Sequence, residues 1–266
     1  MAKENYHLHT TVSDGKLKPE ELIKFAIKKK FRTIGITDHY RLPPGFKDGD
    51  YAKDNYTKKD YNQLIKLKEK YKDKLNILVG VEFDWLEGYK NWIIKETKRR
   101  DYDYKFISIH YFKVGNKYDA IDLFSREFDD IVKNIGIKKL AEGYYQSLRQ
   151  GIKTGCFDVV AHLDLIKMWN KNNKYFSGKE RWYKNQVRKT LRLISKKKMK
   201  MELNASGWRR ECNEQYPAEW ILKDAINLGI PIIIGTDGHK KEYVDKWIGK
   251  ARNLLYRLKG SARSVH

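Results

Sequence analysis

Short apolar runs rich in β-branched residues alternate with longer amphipathic segments along most of the chain. Runs such as NILVGVEF and IPIIIG are apolar almost throughout, which is typical of parallel strands that are buried on both faces. We predict seven strands on this basis: Asn5–His9, Thr33–Thr37, Asn76–Glu82, Lys105–His110, Asp158–His162, Lys200–Asn204 and Pro231–Thr236.

The segments between these strands have apolar residues at helical spacing. In KPEELIKFAIKKK, Pro19 stands near the first turn, glutamates follow it, and Leu22, Phe25 and Ala26 recur on one side. We predict further helices in these segments: KKDYNQLIKLKEKYKDK, LFSREFDDIVKNI, IKKLAEGYYQSLRQGI, RWYKNQVRKTLRLISKKK, PAEWILKDAINLG and KWIGKARNLLYRL. The polar stretch Arg41–Lys59 is predicted to be a long loop, and loops of this length are often functional.

Strands that alternate with helices indicate an α/β fold with a parallel sheet. The pattern fits a closed barrel and an open doubly wound sheet equally well. No G-x-G-x-x-G or G-x-x-x-x-G-K-[ST] follows the first strand, which disfavours a nucleotide-binding Rossmann or P-loop protein. We expect one domain over residues 1–266.

Composition excludes several classes of protein. Hydrophobic residues make up 41% and aromatic residues 13%, as in a globular protein. No apolar run approaches the roughly 20 residues that span a bilayer. MAKENYHLHT lacks the apolar core of a signal peptide. Cys156 and Cys212 do not form a disulfide framework. We therefore expect a cytoplasmic protein without a membrane partner.

The net charge of +22 raises the question of an anionic partner. The lysines are spread over almost every helical segment, and there is no arginine-rich block. This distribution favours a solvated basic surface. A lysine-rich composition of this kind can result from coding bias or from a hot habitat. Nucleic acid stays open as a partner, and an anionic small substrate fits the charge equally well.

Ligand-type side chains stand where the predicted strands end. Every predicted strand except the sixth ends in or near a histidine or an acidic residue, and only His266 of the seven histidines lies elsewhere. Functional sites of barrels and open α/β sheets form at this carboxyl edge. The residues concerned are His7, His9, Asp38, His39, Glu82, His110, His162, Asp164, Asp237 and His239.

These residue types indicate a catalytic metal centre. His7 and His9 point the same way from one strand, and the carboxylate of Glu82 can bridge two ions. About nine candidate ligands imply two or three ions, and such clusters clamp both oxygens of an in-line displacement at phosphorus. Taken alone, Asp14 also fits a turn or cap and His110 a core histidine. Asp38 and Asp164 also fit caps, or residues that orient the histidines.

The motifs HLHTTVSDG, GITDHY, GVE, SIHY, AHLD and GTDGH, in this order from Tyr6 to His239, resemble the PHP superfamily. The stretch ELNASGWRRECNEQYPAEWILKDAINLGIPIIIGTDGH resembles its histidinol-phosphate phosphatases in particular. The resemblance implies a distorted (β/α)7 barrel of the TIM-barrel type that holds three divalent ions of zinc, manganese or iron. It implies three ligand groups: His7, His9, Glu82 and Asp237; Glu82, His110 and His162; and Asp14, His39 and His239.

The reaction that this resemblance implies is hydrolysis of L-histidinol phosphate, a late step of histidine biosynthesis, by attack of a metal-bridging hydroxide. We expect Glu82, Asp237, His239 and Arg209 to be catalytic. Arg209, Arg210 and Lys167 are expected to bind the substrate, and the segment between Tyr111 and Leu123 to border its pocket. Two alternatives remain: a phosphoesterase for nucleotides or a 3′-5′ exonuclease on the same scaffold, and a non-catalytic nucleic-acid-binding barrel. The sequence leaves the oligomeric state open.

Overall fold

The computed structural model describes residues 3–46 and 56–263, so residues 47–55 of the predicted long loop and His266 lie outside the described residues. In chain order the strands are β1 (Lys3–Leu8), β2 (Phe31–Ile36), β3 (Asn76–Asp84), β4 (Tyr104–Ser108), β5 (Tyr111–Val114), β6 (Lys117–Ala120), β7 (Val159–Val160), β8 (Lys200–Asn204) and β9 (Ile232–Gly235).

Seven of these strands form one parallel sheet in the order β1-β2-β3-β4-β7-β8-β9. The first strand meets the segment that follows the last strand, where Leu8 at the end of β1 pairs with Gly238 and the His9 amide donates to the Gly238 carbonyl at 3.2 Å. The sheet therefore closes almost completely, and the predicted distorted (β/α)7 barrel is confirmed.

Helices surround the barrel and connect its strands. They are α1 (Pro19–Lys28), α2 (Lys58–Tyr71), α3 (Lys90–Thr97), α4 (Ser125–Ile135), α5 (Ile137–Thr154), α6 (Arg181–Lys196), α7 (Glu219–Asn227) and α8 (Ile248–Arg263). Helix α1 begins at Pro19, which stands in the first turn as predicted. Glu20 and Glu21 are in the same turn, where their negative charges interact favourably with the helix dipole. Within the described ranges, no helix is both long and apolar enough for a membrane span.

Apolar side chains pack in two layers. The larger core lies between the sheet and the helices, and a small separate cluster contains Tyr104 and Phe106 of β4. This cluster lies inside the barrel, because Phe106 stacks on His7 and the Tyr104 hydroxyl donates to the Tyr6 carbonyl at 2.6 Å, although β1 and β4 are not neighbours in the sheet. A Cβ at Gly80 would lie 2.9 Å from the Tyr104 ring, so glycine makes room for it.

Two elements were absent from the sequence prediction. Helix α3 has only eight residues, and the hairpin β5–β6 pairs Val114 with Lys117 around a turn in which Gly115 has φ +62°. A Gly-Asn pair between alternating segments is a hairpin signal, and it is present here as YFKV-GN-KYDA. The short length of α3 gives too little periodicity to recognise.

Candidate metal centre and active site

The barrel brings the predicted ligands to one place at its carboxyl edge. His7 and His9 lie at the end of β1, Glu82 lies within β3, and the remaining ligands follow their strands by two to six residues. Most of them are removed from solvent, since His7, His9, Glu82 and His162 are at most 1% exposed. A buried group of imidazoles and carboxylates is costly unless its members are paired or bind cations.

Glu82 lies at the centre of this group. Its Oε2 is 3.3 Å from His7 Nε2 and 3.2 Å from His39 Nδ1. Its Oε1 is 2.9 Å from His162 Nε2 and 3.8 Å from His110 Nε2. The two oxygens thus face different histidines, which is the arrangement that a bridging carboxylate requires.

The ligand atoms form overlapping groups whose members partly coincide with those implied by the family resemblance. The residues that come together are His7, His9 and Glu82; Glu82, His110 and His162; His9, Asp14, His39 and His239; and, not predicted, His39, Asp84 and His110. Asp237 adds to the first group, since its Oδ1 lies 3.4 Å from His9 Nε2. The third group contains a 3.0 Å approach of His239 Nε2 to Asp14 Oδ2.

The donor set fits divalent cations. His7 Nε2 lies 3.0 Å from His9 Nε2, and His110 Nε2 lies 3.3 Å from His162 Nε2. Two neutral imidazole nitrogens that both present lone pairs repel each other, whereas a shared cation would bind both. Nitrogen and oxygen ligands without cysteine suit zinc, manganese or iron.

Electrostatics favour the metal-binding forms of His9 and Glu82, whereas neighbouring carboxylates outweigh burial and raise the pKa of His7, His110 and His239. Burial lowers the pKa of His9 to about 3, helped by the nearby His239 and His39, so the ring is neutral. Burial alone would raise the pKa of Glu82, but His7, His39 and His110 outweigh it and hold this pKa well below its usual range. His239 donates from Nδ1 to the Asp237 carbonyl at 2.9 Å, which directs its Nε2 towards Asp14.

Two ligands sit on strained backbone. His162 has φ +27° and Asp237 has φ +52°, a region that costs non-glycine residues about 1–3 kcal/mol each. The Asp237 segment is held by Arg209, which donates to the carbonyls of Thr236 and Asp237 at 3.1 and 2.8 Å. The conformation at His162 also ends β7 after two residues, which is shorter than predicted.

Asp38 and Asp164 do not orient histidines, which is one of the two roles that the sequence leaves open for them. Asp38 accepts hydrogen bonds from the Thr10 amide, the Thr10 hydroxyl and the Ser13 hydroxyl, at 2.6 to 2.8 Å, and so holds the loop that carries Asp14. Asp164 accepts from the Ala218 amide and pairs with Lys167, both at 2.9 Å. Each carboxylate is paired with main-chain, hydroxyl or ammonium donors, because these donors lie closer to it than the histidines do.

Asp84 and Glu202 hold histidines instead, and the sequence analysis assigned neither of them a role, although Glu202 opens the quoted stretch ELNASGWRR. Asp84 Oδ1 lies 2.8 Å from His110 Nδ1 and accepts the His110 amide at 3.1 Å. Glu202 Oε1 lies 2.8 Å from His7 Nδ1. The available signals were spacing, since Asp84 follows Glu82 by two residues on a strand, and an acidic residue within the buried strand MELN.

A cavity of about 650 Å³ opens beside these ligands. Its wall includes Asp14, His39, His110, His162, Asp237 and His239. Tyr111, Asp122 and Leu123 also line it, so the segment around the β5–β6 hairpin borders the pocket, as expected.

The cations expected at the pocket differ in their surroundings. Arg209 and Arg210 both line it, and Arg210 Nε is buried without a hydrogen-bond partner among the described residues. Lys167 is not in the lining, because its ammonium pairs with Asp164 and with Glu214 Oε2 at 2.7 Å. Lys240, which the sequence analysis did not single out, lines the pocket and is exposed.

Comparison with known proteins identifies the class that this barrel and its ligand cluster define. The model of the PHP domain family matches residues 5–206. The chain therefore belongs to the PHP domain family.

Relatives within this class are more particular. The chain is 26% identical over 257 residues to the histidinol-phosphatase of Bacillus subtilis, with 90% of this chain and 94% of the relative covered. A solved Listeria monocytogenes protein, provisionally assigned as a histidinol phosphatase, superposes with a TM-score of 0.86 at 22% identity and covers 93% of this chain and 99% of its own.

A second solved structure carries ligands. It is the Lactococcus lactis histidinol phosphate phosphatase in complex with zinc, L-histidinol and phosphate, with a TM-score of 0.78 at 21% identity. It covers 96% of this chain and 93% of that chain. At these identities the two solved structures establish the fold of this chain.

Proposed function

We propose that this protein is a metal-dependent phosphomonoesterase that hydrolyses L-histidinol phosphate to L-histidinol and phosphate in histidine biosynthesis. The observation that carries the proposal is the convergence of imidazoles and carboxylates from six strand ends around Glu82. Family membership and the relatives named as histidinol phosphatases support the choice of substrate. We place this activity in the cytoplasm, in keeping with a biosynthetic step.

The proposed cofactors are three divalent ions of zinc, manganese or iron, and three of the four overlapping ligand groups support them, one group for each ion. His7, His9, Glu82 and Asp237 would hold the first, Glu82, His110 and His162 the second, and Asp14, His39 and His239 the third. Such ions lower the pKa of bound water towards neutrality and stabilise the charge that develops on phosphoryl oxygens. The buried carboxylate of Glu82 would hold the first and second ions in fixed positions relative to each other.

The proposed phosphate-binding residues are Arg209, Arg210 and Lys240. A guanidinium can donate two parallel hydrogen bonds to phosphate, and Arg210 has a buried Nε with no other partner among the residues described. Arg209 already donates to two carbonyls, so it also holds the Asp237 segment in place. Together with Glu82, Asp237 and His239, Arg209 forms the proposed catalytic set. We leave Lys167 out of the substrate-binding residues because its ammonium is paired outside the pocket lining.

A phosphate-release assay tests the substrate. Purified protein that has been loaded with zinc, manganese or iron is compared on L-histidinol phosphate, a mononucleotide and a short single-stranded DNA. We expect the highest kcat/KM on L-histidinol phosphate. Preference for either nucleotide substrate would replace this proposal with a nucleotide phosphoesterase or exonuclease, and salt-dependent DNA binding without turnover would favour a binding protein.

A further inference from the structure

Glu202 is a fully buried carboxylate in the middle of β8, the one predicted strand that ends without a ligand-type residue. It belongs to none of the ligand groups. Its two oxygens nevertheless contact residues of two different groups, His7 and His162. Burying a charge away from solvent costs free energy unless hydrogen bonds and nearby charges compensate for it.

The Oε1 atom determines which nitrogen of His7 carries the proton. It lies 2.8 Å from His7 Nδ1, and a carboxylate oxygen only accepts, so Nδ1 donates. In the neutral ring the other nitrogen, Nε2, then carries no proton and faces His9 and Glu82. This is the tautomer that can bind a cation at Nε2.

The Oε2 atom has two fixed donors. It accepts the His162 amide at 3.1 Å and Asn204 Nδ2 at 3.0 Å. The Asn204 amide cannot turn over without loss, because its Oδ1 accepts from the Ser206 amide at 2.8 Å. The contact to the His162 amide also holds a residue whose φ of +27° is strained.

The fold leaves room for this carboxylate by placing a glycine beside it. A Cβ at Gly235 would overlap Glu202 Oε1 and lie 2.5 Å from His7 Cβ. The pair of Glu202 and His7 therefore depends on the absence of a side chain at this position of β9.

We infer that Glu202 is a positioning residue that fixes the tautomer of His7 and the main chain of His162, and so links the first and second metal groups from behind. The inference rests on the proposed function only through the metal centre and is independent of the substrate. Glu82 would connect the same two groups from the front.

Glu202→Gln provides a sharp test because it keeps the size of the side chain and replaces one acceptor oxygen with an NH₂ donor. The two fixed donors at Oε2 require the amide oxygen there, which directs the amide NH₂ at His7 Nδ1. His7 must then accept at Nδ1 and carry its proton on Nε2, where the proton would compete with a cation. Loss of such an outer partner weakens metal binding by about 10–100-fold.

The experiment has two readouts that do not use activity. Long-range ¹H–¹⁵N correlation spectra of the zinc-free protein report the tautomer of each histidine, and equilibration in zinc buffers followed by elemental analysis reports affinity and ions per chain. We expect His7 to carry its proton on Nδ1 in the wild type and on Nε2 in Glu202→Gln. We expect the variant to bind zinc about 10–100-fold more weakly at one group of ligands.

Asp164→Asn is the matched control, since Asp164 is equally buried, accepts a main-chain amide and contacts no histidine. It should lose stability and keep the wild-type zinc affinity. The absence of a proton on Nδ1 of His7 in the wild type, or wild-type zinc affinity in Glu202→Gln, would overturn the inference. The wild-type spectrum decides the matter even if the variant does not fold. Failure of the substrate proposal would appear only in the phosphate-release assay.

Discussion

Single side chains at the strand ends carry the chemistry, and Glu82 shares its oxygens among more of them than any other proposed ligand described here. Its oxygens contact His7, His9, His39, His110 and His162 within 4.0 Å. Most of these ligands are visible in the sequence as local motifs. The outer partners Asp84 and Glu202 are less visible, because Asp84 lies outside the quoted motifs and the motif ELNASGWRR, which Glu202 opens, does not indicate what its carboxylate contacts. Their roles follow from which side chain the folded strands place opposite them.

Replacing Glu82 with Gln should lower the activity more than replacing any of the outer partners. The amide keeps the size of the side chain but loses the charge that balances ions on both sides. We expect a loss of kcat beyond the roughly 10–100-fold typical of outer partners, together with fewer ions per chain. Steady-state kinetics and elemental analysis check this, and a variant with wild-type metal content would show that Glu82 is not a shared ligand.

Replacing Arg210 with Ala should weaken phosphate binding without loss of metal. A hydrogen bond to a charged group contributes about 1.5–3 kcal/mol, so kcat/KM should fall by about 10–100-fold, mainly through KM. Arg209→Ala should also lower kcat/KM, and in addition should reduce metal content, because Arg209 holds the Asp237 carbonyl. Kinetics with elemental analysis separate the two, and an unchanged kcat/KM would remove that arginine from the site.

At the scale of elements, the strand prediction located every strand of the barrel, and β8 matches residue for residue. The spacing of apolar residues and the residues that cap helices are properties of short segments, so they can be recognised in the sequence. The hairpin β5–β6 and helix α3 were missed because they are short, and β7 ends early because His162 leaves the strand conformation. The interior of the barrel adds a constraint that no local pattern reveals, which is the fit of Tyr104 against Gly35 of β2 and Gly80 of β3.

Gly80→Ala on β3 tests that constraint. The new methyl group would lie 2.8 Å from Thr37 Cγ2 and 2.9 Å from the Tyr104 ring, so we expect a loss of about 1–3 kcal/mol in the free energy of unfolding. Gly249→Ala on α8 is the control, because nothing lies within 4 Å of its new Cβ and alanine favours a helix by about 0.5–1 kcal/mol. Denaturant unfolding measures both, and equal effects would contradict the packing argument.

At the scale of the whole molecule, closing the barrel collects charges that would repel one another if they were left unpaired. Metal removal should therefore destabilise the entire domain. At a free zinc concentration of about 100 times Kd, binding contributes about 2.7 kcal/mol, which corresponds to roughly 5–10 °C in Tm for a chain of this size.

Thermal unfolding before and after treatment with a chelator measures this difference. Zinc added back should restore the original Tm. The same treatment applied to the Glu202→Gln variant should produce a smaller shift, because less metal is bound at the start. An identical Tm with and without chelator, in protein shown to contain zinc, would contradict a metal centre that forms only in the folded chain.

The sequence by itself determined the alternation of strands and helices, the carboxyl-edge position of the ligands and the residue types that suit divalent cations. These features are local, since period, strand ends and side-chain chemistry are properties of short segments. Only the tertiary structure decided that the sheet closes, that Glu82 lies between two groups of histidines, that Lys167 is paired away from the pocket and that Glu202 holds His7 and His162. These depend on which distant segments meet, and burial and the competition of nearby donors decide that after the barrel has formed.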